Sequence, residues 1–278
     1  MPTRKRKGAF GYRDILLALR RIGVEGESRV LVIGPSLVPE SIRGGAAALS
    51  AALSSSCKMV VAPAFTYQTM VYPAEGPPDN AVDYPEASAA SVEADFFRPS
   101  TRVSQLLGPL PETLRRMEGA SRSGHPILSF TGLGAEEILE TQTLESPFAP
   151  VDALAKAGGD VVVLGSDPPA NPALHLAEQR AGRKQFIRWA LTPKGVVECP
   201  GFPGCARGFG SIEGRLTGVL RSETVGSFPI GRIPLRDLLN IAAGWIRQDP
   251  QAMLCDHPDC PFCAAVRKAN QSGDPGRG

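Results

Sequence analysis

The sequence predicts a layered α/β fold. Three observations carry the prediction: short continuous aliphatic runs that read as buried strands, glycine directly after two of them, and Ala-rich or amphipathic helical stretches alternating with them. Taken in order, Asp14 to Ile22 places apolar residues at helical spacing and stops at Gly23, which predicts an amphipathic helix with a glycine terminus. Arg29 to Ile33 is aliphatic and ends at Gly34-Pro35, the form of a buried strand whose carboxyl end opens into a loop. Gly44 to Leu53 is Ala-rich and helical, Met59 to Ala62 is a short strand, and Asp160 to Leu164, ending in Gly165, is another. Phe186, Trp189 and Leu191 within residues 185–198 predict further strands, and Pro234 to Gln248 a second amphipathic helix. From Gln271 the chain turns polar and glycine-rich, as a disordered tail does.

Composition narrows the function classes. A chain of 278 residues leaves open one large unit or two smaller ones, and 42% hydrophobic with 21% charged residues excludes wholesale disorder, coiled coil and collagen-like structure. With 30 Lys+Arg against 28 Asp+Glu the formal charge is +2, too balanced for a general nucleic-acid binder. The run Arg4 to Lys7 reads as a solvated tail. No run approaches the roughly 18–20 apolar residues that cross a bilayer, nor does an apolar stretch follow the basic start. The expectation is a soluble, cytoplasmic protein without nucleic-acid or membrane partners.

Two segments carry candidate chemistry. In Asn171-Pro-Ala-Leu-His175-Leu-Ala-Glu178, His175 and Glu178 are three apart and share one helix face, so the carboxylate can orient the imidazole and raise its basicity. The pair follows the strand end at Leu164-Gly165, and ligands of α/β sheets gather beyond the carboxyl ends of strands. Arg122-Ser-Gly-His125-Pro places a second histidine at a turn, where its side chain is expected to cap local carbonyls. Between residues 73 and 97 six acids, including Asp79 and Asp83, occur without Lys or Arg; this reads as a long acidic loop, either a solvated insertion or a surface for a cationic ligand.

Six cysteines are unevenly placed. Cys57 is alone, Cys199 and Cys205 follow, and Cys255, Cys260 and Cys263 crowd the end. A C-x-x-C pair can bite one tetrahedral Zn²⁺ and Cys255 can supply a third corner, with Cys199 or Cys205 the fourth and His257 an alternative. All-cysteine coordination leaves no open position, so the reading is a structural clip between residues 199–205 and 255–263.

The order of segments resembles the aminoglycoside 3-N-acetyltransferase family, the antibiotic acetyltransferases. The resemblance rests on Gly44-Gly45-Ala46, Pro63-Ala-Phe65-Thr66, Gly108-Pro-Leu-Pro111-Glu112, Arg122-Ser123-Gly-His125-Pro126 with Ser129, Ser146-Pro147, Leu164-Gly165, Asn171 through His175 to Glu178, and Gly204-Cys205 with Gly208-Phe209. It implies one large α/β domain with a mixed central sheet flanked by helices, spanning residues 10–265 between a basic tail at 1–9 and a disordered tail at 266–278. It further implies acetyl transfer from acetyl-CoA to an amine, most simply the 3-amino group of an aminoglycoside. His175 with Glu178 matches the catalytic pair. Ser36, Ser104, Arg122, Ser123 and His125 fall to the acyl-CoA donor, and Asp79, Asp83 and Asn171 to a cationic acceptor. A homodimer is compatible with this reading.

The departures fall on the donor side. The family's His-Ser-Ser-Leu is here Gly34-Pro35-Ser36-Leu37, Thr-Pro-Ser is Val103-Ser104-Gln105, and the Thr after Asn171 is Pro172. Two alternatives stay open: acyl transfer to another amine or sugar metabolite, and a catalytically silent, zinc-stabilised binding protein of the same fold.

Overall fold

The computed structural model describes residues 10–166 and 171–272, apart from the side chains of residues 90, 92 and 272. The basic run Arg4 to Lys7 and residues 273–278 lie outside the described residues. Among the described residues the strands are β1 (Arg29–Ile33), β2 (Met59–Pro63), β3 (Met70–Val71), β4 (Ala120–Arg122), β5 (Phe130–Leu133), β6 (Asp160–Leu164), β7 (Phe186–Thr192), β8 (Gly195–Phe202), β9 (Arg221–Val225) and β10 (Phe228–Pro234). The helices among the described residues are α1 (Tyr12–Arg21), α2 (Gly45–Ser56), α3 (Tyr84–Ala90), α4 (Pro109–Arg115), α5 (Glu136–Leu139), α6 (Ala149–Lys156), α7 (Pro172–Arg180), α8 (Leu235–Gln248) and α9 (Pro261–Ser272).

The main sheet runs β4-β5-β2-β1-β6-β10-β9, with β1 parallel to both β2 and β6 and the other pairings antiparallel. It is therefore mixed. The aliphatic runs read in the sequence are the three central strands, and they are continuously apolar because both sheet faces are covered. Val30 and Val32 of β1 point into a core with Ile15, Leu19, Leu49 and Leu53, while Leu31 and Ile33 point into another with Val151, Leu154, Leu238 and Leu239. Helices α1, α2 and α4 cover the first face and α6, α7 and α8 the second. A second sheet, β3-β7-β8, takes the Phe186 to Leu191 alternation.

From β1 the chain crosses through α2 to β2 on one side, while β6 lies on the other, so the carboxyl ends of β1 and β6 form a switch point of the sheet. A cleft of about 210 Å³ opens there, lined by Pro35, Ser36, Leu37, Gly165, Ser166 and Phe228 among others. Gly108, at φ 73, lets the backbone pass close beneath it: a Cβ would stand 2.2 Å from the Pro35 carbonyl oxygen.

Two expectations change here. The tail does not begin at 266, because α9 continues to Ser272 with Ala265 and Val266 buried, Arg267 bonded to the Cys255 carbonyl at 2.7 Å and Lys268 paired with Asp79 at 2.7 Å. The acidic segment is not a plain loop, since it contains α3, whose N-cap is Asp83 accepting the Glu86 N–H at 3.3 Å.

Candidate active site

Helix α7 starts after the carboxyl end of β6. Asn171 caps it, its Oδ1 accepting the Ala173 N–H at 3.1 Å, and Pro172 takes the first helical position, where a missing N–H leaves nothing unpaired. Every residue from Pro172 to Glu178 is buried. His175 and Glu178 meet on the face their spacing predicts, with His175 Nδ1 2.9 Å from Glu178 Oε2. A carboxylate at Nδ1 favours the Nδ1–H tautomer, which puts the lone pair on Nε2. The ring lies against Phe148, stacked at 6.0 Å, and Phe209, tilted at 4.7 Å.

The other oxygen of Glu178 accepts from Arg183 at 2.8 Å, and a second guanidinium nitrogen donates to the Pro250 and Ala252 carbonyls at 3.0 and 2.7 Å. Burial is nearly complete for all three side chains: 5% of His175, 3% of Glu178 and 3% of Arg183 remain exposed, so the carboxylate is neutralised by a fixed guanidinium and not by water. The sequence reading missed Arg183. A signal was present in Gly182, at φ 79, which ends α7: the Gly182 N–H bonds the Gln179 carbonyl at 2.9 Å and the Arg183 N–H the Glu178 carbonyl at 3.0 Å. This Schellman closure folds the residue after the glycine back over the turn that holds Glu178.

The family model described as aminoglycoside 3-N-acetyltransferase matches residues 38–247, most of the chain. The protein belongs to the aminoglycoside 3-N-acetyltransferase family. Aminoglycoside N(3)-acetyltransferase VIII of Streptomyces fradiae is 34% identical over 125 residues, which are 41% of this chain and 44% of that protein, so the match spans less than half of the relative. The solved aminoglycoside acetyltransferase AAC(3)-IVa aligns at a TM-score of 0.72 and 24% identity over 93% of this chain and 97% of its own; a mutant of it is solved with a gentamicin. AAC-IIIb, solved as a binary complex with CoASH, aligns at 0.67 and 24% identity over 86% and 97%. These likenesses show a shared fold.

In this acetyltransferase-family chain the segment from 122 to 130 is tied internally. Arg122 donates to the carbonyls of Ala64 at 2.7 Å, Pro99 at 3.2 Å and Thr101, and to Ser129 Oγ at 3.1 Å. Burial, with the nearby Arg115 charge, lowers its pKa to about 10, leaving it cationic. Ser123 Oγ accepts the Phe130 N–H at 2.7 Å. His125 does not cap carbonyls: its Nδ1 accepts the N–H groups of Ile127 and Leu128 at 3.1 and 3.0 Å, and burial pushes its pKa down to about 4. Its Nε2 is buried without a partner among the described residues. Ser104 is buried, its N–H bonded to the Phe65 carbonyl at 2.8 Å. Of the residues expected to face the donor, Ser36 alone lines the cleft at the switch point. A Cβ on Gly34 would stand 2.8 Å from Leu110 Cδ2, so a histidine there would require the Leu110 side chain to shift.

Asp79 is paired with Lys268, whose hydrogen bond lowers its pKa, and Asp83 is the α3 cap, so the structure gives both carboxylates partners within the chain. The cysteine reading is sharpened and corrected. The sulfurs of Cys205, Cys255, Cys260 and Cys263 all lie within 4.8 Å of one another. Cys199 is not among them: on β8 it points into the core, 1% exposed, and burial with the neighbouring Glu198 pushes its thiol up to about 12. The turn after Phe202 is what carries Cys205 out to the cluster. Arg207 donates to Cys205 Sγ from its backbone and its side chain, at 3.3 and 3.4 Å. His257 is exposed and outside the group.

Proposed function

We propose that this protein transfers an acetyl group from acetyl-CoA to an amine of an aminoglycoside, with His175 as general base. The observation that carries the reading is the buried His175–Glu178–Arg183 relay, on the helix that follows the carboxyl end of β6 in a family member of this fold. An ammonium has no lone pair, so the acceptor reacts as the neutral amine, and Nε2 of His175 removes its N–H proton as the nitrogen attacks the thioester carbonyl. The new C–N bond forms, the C–S bond breaks, and the CoA thiolate leaves. Glu178 stabilises the imidazolium that results, and Arg183 fixes Glu178 in place. Ser36, in the switch-point cleft, is the candidate donor to the oxyanion, because Pro35 has no N–H to offer.

The relatives' names and the neighbours solved with a gentamicin and with CoASH support the same acceptor and donor. For a polycation the acidic segment supplies attraction at longer range, Asp79 only by giving up Lys268. The second bound group we assign is one structural zinc on Cys205, Cys255, Cys260 and Cys263: a tetrahedron with Zn–S of about 2.3 Å needs sulfurs roughly 3.8 Å apart, which four thiols within 4.8 Å of one another reach with small rotations.

Thiol release from acetyl-CoA, measured with a panel of aminoglycosides and neutral amines, tests the reading. Turnover should require an aminoglycoside, and His175→Ala should remove about 10²–10⁴-fold of it. An unchanged rate in that variant would sink the assignment of the base; release indifferent to the aminoglycoside would sink the acceptor.

A further inference from the structure

The four-thiol cluster shares two chain segments with the groups that support the His175 relay. Four residues after Cys205 comes Phe209, the ring 4.7 Å from the His175 imidazole. Just before Cys255 come Pro250 and Ala252, the carbonyls that hold Arg183 at 3.0 and 2.7 Å. The segments are pressed together: a Cβ on Gly208 would stand 2.3 Å from the Met253 carbonyl oxygen and 2.7 Å from the Leu254 carbonyl carbon. Met253 lies between the Ala252 carbonyl and Cys255, buried at φ 60, a left-handed conformation that a side-chain-bearing residue keeps only where its surroundings impose it. Two other groups steady this loop, Arg267 on the Cys255 carbonyl at 2.7 Å and Asn270 on the Pro250 carbonyl at 3.1 Å. Both come from α9, whose first turn carries Cys263.

We propose that the cluster, closed on zinc, positions the general base. The cation joins the 205–209 segment, the 250–255 loop and α9 at one point. The Ala252 and Pro250 carbonyls then fix Arg183, Arg183 fixes Glu178, and Glu178 together with the Phe209 ring fixes His175. The four cysteines are positioning residues in this scheme and touch no substrate. The inference rests on the reading of His175 as base, and it makes the metal more than a clip for the C-terminal end, because opening the tetrahedron releases both supports of the imidazole at once.

The test compares zinc-loaded protein with Cys263→Ser, and with Cys263→His, which restores a zinc ligand. Metal analysis should give one zinc per wild-type chain and none in the serine variant. Held below its lowered melting temperature, the serine variant should lose about 10²-fold in kcat, as a misplaced catalytic group does, with the KM for acetyl-CoA unchanged. Cys263→His should recover it. The chain has three histidines, so side-chain nitrogen-detected NMR resolves them: the His175 Nδ1–H signal should shift or disappear with the metal while His125, tied to Ile127 and Leu128, stays. Should Cys263→Ser fail to fold, chelation of the wild type at low temperature gives the same comparison. A zinc-free protein that keeps both its kcat and its His175 signal overturns the proposal, as does a wild type that binds no zinc. If the wild type acetylates no aminoglycoside yet the His175 signal follows the metal, the positioning stands and the assigned reaction falls.

Discussion

Replacing Arg183 with Met isolates the middle of the relay. The substitution keeps most of the aliphatic stem but leaves the Glu178 carboxylate, 3% exposed, facing a thioether, strips the Ala252 carbonyl of its Arg183 donor and leaves the Pro250 carbonyl to Asn270. Breaking a buried ion pair from one side costs about 3–5 kcal/mol, and the Ala252 carbonyl left without Arg183 adds to it, against a total stability of about 5–15 kcal/mol for a folded domain. Urea unfolding should therefore show a loss of about 3–5 kcal/mol, with a large fall in kcat, because Glu178 loses the guanidinium that holds it in line with His175 Nδ1. Glu178→Gln with Arg183→Met should lose less stability than the sum of the two single changes, since no buried charge is left alone. A single Arg183→Met variant that unfolds within about 1 kcal/mol of wild type and turns over normally would refute the relay.

Other outcomes follow from the same geometry. His125 is held neutral in the fold, its pKa lowered from 6.5 to about 4 by burial, so the unfolded chain binds the extra proton: stability should decline as pH falls from about 6.5 to about 4 and then level, and His125→Asn should flatten that limb in a series of melts across pH. Glu112 behaves as a depressed carboxylate: burial opposes ionisation, but hydrogen bonds from Arg115, the Val103 N–H and Arg116 prevail and take its pKa from 4.5 to about 2. Its contribution is present above about 4.5 and is lost as pH falls towards about 2, a loss that Glu112→Gln should remove from the acid melting curve. Asp79→Asn should leave the melting temperature essentially unchanged, and added salt should raise the KM for a polycationic acceptor more than for a neutral one; equal salt effects on both would discard the acidic segment as an acceptor surface. Gly208→Ala should destabilise the fold in thermal melts, because its Cβ would have to displace the Met253 backbone.

Local information carried a good part of this molecule. The aliphatic runs at 29–33 and 160–164 are strands β1 and β6 with the boundaries read in the sequence, because after their charged first residues, Arg29 and Asp160, each strand is covered on both faces and apolar throughout. The His175–Glu178 contact was legible because three residues on a helix fix the distance between two side chains before any tertiary structure exists. The C-x-x-C pair was legible because two thiols three residues apart can reach one tetrahedral centre.

What the tertiary structure alone decided are the partners that reach these groups from far along the chain. Cys205 and not Cys199 joins the cluster because strand pairing with β7 turns Cys199 into the core, a matter of register that no spacing reveals. Asp79 meets Lys268, and Arg122 meets the carbonyls of Ala64 and Thr101, across separations that sequence patterns do not encode. Arg183 shows both sides of the division. Its return over Glu178 is local, written in Gly182, yet its remaining donors are satisfied only because the 250–255 loop is folded against α7, and that packing depends on the whole domain.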